Sequence, residues 1–225
     1  MSDLVAVLTI ARKDLLQEAR GRAVTVATLF FSAVTLVMMA FAIGQDSELL
    51  RRSAPGVLWV ALAFAGVISS AQSFQSDLEE GAFDQLLLYP VPRASIFLGK
   101  LLANWLYLTV LGLLMTPVTL VLYGARAGGD AWLLPPTLAL GVLGFSLIAT
   151  FYAALTANLR AREALLPVLM FPVVVPVLLA AVRASEAIVQ LSNAPLAGSW
   201  LQLLGGFDLV YLVTCTAIFH LVVEE

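Results

Sequence analysis

Long apolar stretches alternate with short polar segments along the whole chain. A helix needs about 20 mostly apolar residues to cross the hydrocarbon layer of a membrane, which is roughly 30 Å thick. The predicted spans are residues 23–44, 54–74, 101–123, 132–156, 164–182 and 201–223. Each must be a helix, because an open sheet would leave backbone groups unpaired in lipid. We therefore predict an all-α membrane protein whose residues 1–225 form a single transmembrane domain.

Composition supports lipid as the solvent of this chain. The sequence has 225 residues, of which 61% are hydrophobic and 12% are charged, whereas soluble domains carry about 25% charged residues. The net charge is −3 and no basic run occurs, so we expect no nucleic-acid partner. The single cysteine, Cys215, makes neither an internal disulfide nor a four-ligand zinc site. We predict no metal site.

The distribution of positive charge predicts the orientation. Six spans place both termini on one side of the membrane. Eight of the twelve lysines and arginines fall on that side: Arg12, Lys13, Arg20, Arg22, Arg93, Lys100, Arg160 and Arg162. The positive-inside rule therefore predicts that both termini are cytoplasmic.

An A-x-A sequence at 40–42 resembles a signal cleavage site, but the apolar run before it exceeds the roughly 7–15 residues of a cleavable signal. We expect the first span to remain.

The segment before the first span has helical periodicity. Leucines and alanines fall on one stripe of this predicted helix: Leu4, Leu8, Ala11, Leu15 and Ala19. Such an amphipathic helix can lie flat at the cytoplasmic membrane interface. It can equally serve only as a positively charged anchor for the first span, and the sequence leaves both interpretations open.

The polar segment between the second and third spans reads FQSDLEEGAFDQLLLYPVPRASIFLGK, from Phe74 to Lys100. A helix over residues 73–88 would place Asp77, Glu80 and Asp84 on one face, because residues three and four apart are neighbours on a helix. Its opposite side is apolar. Pro90 and Pro92 would end it. The pattern predicts a short amphipathic helix with an acidic face.

Two interpretations of this acidic face compete. The acidic side chains could simply stay in water. However, the segment is longer than two adjacent spans need, and acidic groups are unfavourable beside an anionic leaflet. Both facts favour docking to a basic partner. The chain itself has no phosphate loop, because Ala94 and Leu101 break the motif around Gly99 and Lys100. Any nucleotide hydrolysis must come from another subunit.

Several stretches resemble the CcmB family of haem exporter permeases in bacterial cytochrome c maturation. These are LLRRSAPGVLWVALAF, FQSDLEEGAFDQLLLYPVP, GKLLANW, LPVLMFPVVVPVLLAA and the end GGFDLVYLVTCTAIFHLVVEE. The resemblance covers nearly the whole chain. It implies a six-span permease of the ABC type in the bacterial inner membrane. It also implies a cytoplasmic ATPase subunit, other haem-handling membrane subunits and a pair of permease subunits. Haem would be the cargo, with no covalently bound cofactor.

The resemblance also implies that the segment between spans two and three is the coupling element against the ATPase. The family motif maps onto Phe74, Asp77, Leu78, Gly81, Gln85, Leu86, Pro90 and Pro92. Together with the neighbouring acidic residues Glu79, Glu80 and Asp84, these form the predicted docking set.

Polar and irregular positions within the spans are further candidates, because ionisable groups in membranes are costly. Asp208 in the sixth span is a candidate for gating or helix packing. His220 is either an interfacial side chain or a haem ligand. Three prolines in the fifth span, Pro167, Pro172 and Pro176, predict an irregular, hinge-prone helix. Trp59, Trp132 and Trp200 are expected in an aromatic belt at the outer interface.

Three classes of function are compatible with a protein of this kind. A permease driven by a separate ATPase and a non-transporting scaffold that docks the same partners both need the acidic segment. A membrane enzyme has the least support, because the sequence offers no H-E-x-x-H motif, no histidine pair and no nucleophile with an identifiable base. We therefore predict a protein that is not itself an enzyme. The residues alone do not separate the permease from the scaffold, and the family resemblance implies the permease.

Overall fold

The computed structural model describes residues 3–79, 81, 92–157, 159, 162–190 and 192–222. The side chains of residues 20, 23, 162, 163 and 220–222 fall outside this description. The described residues form seven α-helices and no strand. The helices are α1 (Asp3–Gly21), α2 (Ala23–Ile43), α3 (Ser47–Glu79), α4 (Arg93–Leu122), α5 (Leu134–Thr156), α6 (Arg162–Val189) and α7 (Ala194–Val222).

The six predicted spans are confirmed as α2 to α7, each long and apolar enough to cross a membrane. Several helices extend beyond the predicted spans. The 33 residues of α3 give a rod of about 50 Å at the rise of an α-helix, which is longer than a bilayer core. A 3₁₀ turn at Ala131–Leu133 precedes α5. The chain is therefore a multi-pass membrane protein.

Helices α3 and α5 form the centre of the bundle, whereas α2 and α7 are the least buried spans. Helix α5 packs against α3, α4, α6 and α7, and α2 packs mainly against α3. The main core includes Leu36, Trp59, Phe145, Met170 and Val177. The bundle thus has two well-buried central helices with apolar side chains of the outer helices exposed around them.

The predicted N-terminal helix is present, and it packs along the first part of α4. Ala6, Ile10 and Ala11 are buried, whereas Leu4 and Leu8 of the predicted apolar stripe are exposed. Helix α1 therefore covers the bundle with one face and leaves leucines on the other. Gly99 allows the close approach, because a Cβ there would lie 2.7 Å from Ile10 Cβ.

Local sequence explains where α3 begins and ends. Asp46 precedes α3, and its Oδ1 accepts the backbone N–H groups of Glu48 and Leu49 at 3.0 Å each, which caps the helix start. Helix α3 ends at Glu79, and Gly81 has φ +64°, the left-handed conformation typical of helix C-termini. Residues 73–79 are helical as predicted, but they continue the second span to Glu79 and do not begin a separate short helix.

One further expectation is corrected by the fold. Trp59 is buried rather than interfacial, and its Nε1 donates to Ser185 Oγ at 3.0 Å. The three prolines lie inside one helix, α6. A hinge at these prolines stays a prediction.

Candidate functional site

The most unusual feature of the described residues is a cluster of four charges where α1, α3 and α4 meet. We call Lys13, Asp14, Asp77 and Lys100 the four-charge cluster. Asp77 and Lys100 are almost completely buried, with side-chain exposures of 1% each. Buried charges of this kind are costly unless they are paired. Their partners therefore decide whether the cluster is a fixed structural element.

Every member of the four-charge cluster has an opposite charge beside it. Asp77 Oδ1 lies 2.5 Å from Lys13 Nζ, and Asp77 Oδ2 lies 2.6 Å from Lys100 Nζ. Asp14 contacts the same two lysines at 3.1 Å and 3.2 Å. Two carboxylates thus alternate with two ammonium groups. The arrangement binds the N-terminal helix to both helices that flank the segment 80–92.

Lys100 has additional partners on α3. Its Nζ donates to the Ser73 carbonyl at 3.0 Å and to Ser73 Oγ at 3.1 Å. It also lies 4.7 Å from the centre of the Phe74 ring, within the range of a cation–π interaction. Phe74 and Asp77, which occupy the F-x-x-D pattern, therefore meet the same ammonium group because residues three apart share a helix face.

Lys13 is the most exposed member, with a side-chain exposure of 37%. Burial acts to lower the pKa of Lys13, but the neighbouring carboxylates of Asp14 and Asp77 outweigh it and hold the pKa above its ordinary value. A raised lysine pKa favours the charged form. Lys13 therefore remains an ammonium group at neutral pH and keeps its role in the cluster.

The structure corrects the expected position of Asp77. The sequence placed this carboxylate on an exposed acidic face, but it is buried against two lysines. The reason is tertiary, because side chains of α1 and α4 reach the side of α3 that a helical wheel marks as polar. Phe74 is also buried, Leu78 is half-buried, and Glu79 is exposed at the end of α3. The positions of these residues around the helix axis did not by themselves predict which of them are buried.

The remaining predicted docking residues divide into two groups. Gly81 follows the end of α3 and has a left-handed backbone conformation. Pro92 is exposed at the start of α4. Glu80, Asp84, Gln85, Leu86 and Pro90 lie outside the described residues, as does the predicted short helix that would contain them. Docking by this segment stays a prediction.

Lys13 and Lys100 were considered for topology, and Lys100 also for a phosphate loop, but their pairing with Asp14 and Asp77 was not predicted from the sequence. The signal that could have identified the cluster is the occurrence of acidic and basic residues on both sides of an otherwise apolar region. Asp14 precedes one span, Asp77 follows another and Lys100 opens a third. Isolated charges next to spans are candidates for mutual pairing.

Asp208 is the second buried acidic site. It lies near the middle of α7, because this helix begins at Ala194 and not at the predicted residue 201. Its exposed fraction is 5%. It faces Gly144 of α5 and Val177 of α6. Neither carboxylate oxygen has a hydrogen-bond partner within the described part of the chain. Asp208 is therefore on a packing face, not at the outer interface.

The other candidate in α7 is His220. Its backbone belongs to the last turn of α7, and its side chain lies outside the described residues. Among the residues that the structure describes, no group of three or more histidine, cysteine, aspartate or glutamate side chains could hold a metal ion.

A family model described as CcmB protein matches residues 5–223. Heme exporter protein B of Pseudomonas aeruginosa is 36% identical over 162 residues, which cover 72% of each chain. The Haemophilus influenzae protein of the same name is 32% identical over 180 residues, covering 80% of this chain and 81% of the relative. That of Rhodobacter capsulatus is 34% identical over 151 residues, covering 67% and 69%.

Proposed function

The chain belongs to the CcmB family, and on that premise we propose that it is the membrane permease subunit of an ABC-type haem exporter. Its relatives are named heme exporter proteins, which supports haem as the cargo. In this proposal a separate cytoplasmic ATPase supplies the energy. ATP hydrolysis would drive haem export, or the release of a haem-loaded chaperone, during cytochrome c maturation. The permease would act as a pair of subunits, together with other haem-handling subunits in the bacterial inner membrane.

The observation that carries the coupling part of the proposal is the four-charge cluster. Asp77 lies just before the segment 80–92 and Lys100 lies shortly after it, and both are paired with α1. A force applied to this segment would therefore move α1, α3 and α4 together, because rigid, fully paired contacts do not yield independently. Helices α3 and α4 continue from this point as spans.

In the proposed orientation both termini and the segment 80–92 face the cytoplasm. Glu79 is exposed at the end of α3, and Glu80 and Asp84 follow it in sequence. We assign docking to these acidic residues and to the apolar side chain of Leu86. Phe74 and Asp77 have a different role in this proposal: they hold the base of the segment in place from inside the protein.

Charge reversal in the segment tests the docking assignment. The double variant Glu80→Lys and Asp84→Lys leaves the four-charge cluster intact. We expect ATPase copurified with the full chain to fall about tenfold or more, because like charges across an interface are strongly unfavourable. The matched control reverses Glu48 and Asp130, which lie at the opposite ends of the spans. Normal ATPase binding by the segment variant would show that docking is misassigned.

A second variant separates coupling from docking. Lys13→Met removes the half-exposed member of the four-charge cluster while Asp77 keeps Lys100 as its partner. We expect normal ATPase binding and ATP hydrolysis, but reduced ATP-dependent movement of haem or a haem-bearing protein in vesicles that contain both subunits. If wild-type vesicles bind the ATPase and show no such movement, the chain is a docking scaffold and the permease proposal fails.

A further inference from the structure

A cavity with both polar and apolar walls lies beside the four-charge cluster, where α1 joins α2. Its volume is about 250 Å³, and α3 and α4 complete its walls. This is below the roughly 300–1,000 Å³ of pockets that enclose drug-sized ligands, so it suits a small polar group better than a porphyrin. Most of the lining side chains are polar, including Glu18, Arg22, Gln72 and Tyr107.

Two opposite charges in this cavity are available to a ligand. Arg22 is exposed and makes no ion pair or hydrogen bond through its side chain with the described residues. Glu18 is half-buried, and one of its oxygens accepts a hydrogen bond from Thr25 Oγ1 at 2.9 Å. Asp14 also lines the cavity, but Lys13 and Lys100 already pair with it. The cavity therefore offers one free cation and one acidic group.

The backbone at Arg22 is held in an uncommon conformation. Arg22 has φ +52°, a left-handed value that costs energy for a residue with a Cβ. Helix α2 starts directly after it, and Arg22 itself supplies no side-chain cap. The Glu18 carboxylate instead bonds the backbone N–H of Thr25 in the first turn. Backbone N–H groups of the first turn of a helix favour anions. The unpaired guanidinium and a helix start that already holds one carboxylate thus lie together at the cavity.

An exposed apolar stripe leads away from Arg22 along α2. Its members recur at spacings of three and four residues and so share one helix face. They are Val26, Phe30, Ala33, Val37 and Phe41, all of them exposed. A molecule bound at Arg22 can therefore have a polar end in the cavity and an apolar chain on this stripe.

We propose that the cavity binds the headgroup of a zwitterionic aminophospholipid, such as phosphatidylethanolamine. The phosphodiester contacts Arg22 and the first turn of α2, the primary ammonium group contacts Glu18, and an acyl chain lies along the stripe. An ammonium group can donate hydrogen bonds to Glu18, which the methylated headgroup of phosphatidylcholine cannot do. The site is independent of haem and of the ATPase, and thus goes beyond the proposed function.

Native mass spectrometry of the full chain in detergent tests this proposal. Phosphatidylethanolamine, phosphatidylcholine and phosphatidylglycerol with identical acyl chains are titrated separately. We expect phosphatidylethanolamine to reach half-saturation at about tenfold lower concentration than the other two, the effect of one hydrogen bond to a charged group. Equal binding of the three lipids by the wild-type chain would overturn the proposal.

Two variants assign the contacts. Glu18→Gln retains an acceptor for Thr25 and is expected to remove the preference for phosphatidylethanolamine. Arg22→Gly removes the guanidinium while glycine tolerates the positive φ, and should weaken all three lipids about tenfold. Arg126→Ala, in the exposed segment after α4, is the control and should change nothing. Unchanged binding by Arg22→Gly would contradict the assignment.

A final competition experiment distinguishes a bound lipid from a soluble ligand. Free phosphoethanolamine is added to the chain that carries bound phosphatidylethanolamine. We expect no displacement at equal concentration, because the free headgroup lacks the contacts of the acyl chain with the stripe. Displacement at equal concentration would identify the cavity as a site for small phosphate compounds and would refute the lipid assignment.

Discussion

Asp77 and Asp208 are both buried carboxylates, but their surroundings are opposite. Asp77 lies between two lysines at an end of α3, one of them from α1 and the other from α4. Asp208 lies in the middle of α7 against Gly144 and Val177, and both of its oxygens lack a partner within the described residues. One acid is ion-paired with two lysines, whereas the other faces an apolar seam.

The difference indicates how each region can behave. A network in which every charge has two opposite neighbours favours one geometry, because displacing any member weakens two ion pairs. Such a region is suited to transmit displacement. A lone carboxylate among small and apolar residues makes no directional contact that fixes the helices, so close packing alone holds the seam between α5, α6 and α7. The predictions below test this contrast.

Removal of the shared acid should have the largest effect. In Asp77→Ala, Lys100 remains wholly buried and retains Asp14 as its acidic partner. Loss of one partner of a buried ion pair typically costs about 3–5 kcal/mol. We expect a loss of stability of this order, measured by thermal unfolding of the full chain in detergent.

Two further variants control this result. Glu48→Ala removes the partner of Arg51 and Arg52, an exposed network, and should change stability by less than about 1 kcal/mol. The double variant Asp77→Leu and Lys100→Met removes both buried charges and should recover part of the loss. A cost for Asp77→Ala no larger than for Glu48→Ala would mean that the network is not a stabilising element.

The sequence predicted the spans well because apolar length is a local property. Each predicted span lies almost entirely within an observed helix, since twenty apolar residues need no distant partner to specify a membrane helix. Their ends were less predictable. Helix α3 continues to Glu79, and its polar last turns are stabilised by contacts with α1.

The role of Asp77 could not be predicted from its helical phase. Its neighbours Lys13 and Lys100 come from two other helices, and no local pattern specifies that α1 covers this side of α3. Trp59 shows the same limit: it was expected at the interface, but it packs in the core and donates to Ser185. Contacts between distant segments depend on topology, whereas hydropathy reports only average surroundings.

The seam around Asp208 should respond to added volume with an effect of intermediate size. In Gly144→Ala, the new methyl group would meet Asp208 Oδ1 and would lie 2.9 Å from Val177 Cγ1. Overpacking of this kind costs about 1–3 kcal/mol. We expect a loss of thermal stability in that range, smaller than for Asp77→Ala.

Gly205 provides a matched control in the neighbouring helix. A methyl group at Gly205 has no atom within 4 Å, and alanine is a better helix former than glycine by about 1 kcal/mol. Gly205→Ala should therefore be neutral or stabilising. If Gly144→Ala behaves in the same way, the helices of this seam are able to separate at little cost, which would strengthen the contrast with the four-charge cluster.

Neutralising Asp208 should give the smallest effect, and with the opposite sign. Asp208→Asn keeps the shape of the side chain beside Gly144 but removes a carboxyl group that has no described partner. Because an unpaired buried polar or charged group is destabilising, we expect a gain of about 1 kcal/mol by the same measurement, with Asp130→Asn unchanged. A loss of stability would show that Asp208 has a partner in the intact protein.

A more stable variant that no longer supports ATP-dependent haem movement would assign Asp208 to gating, whereas retained movement would leave it a role in helix packing alone.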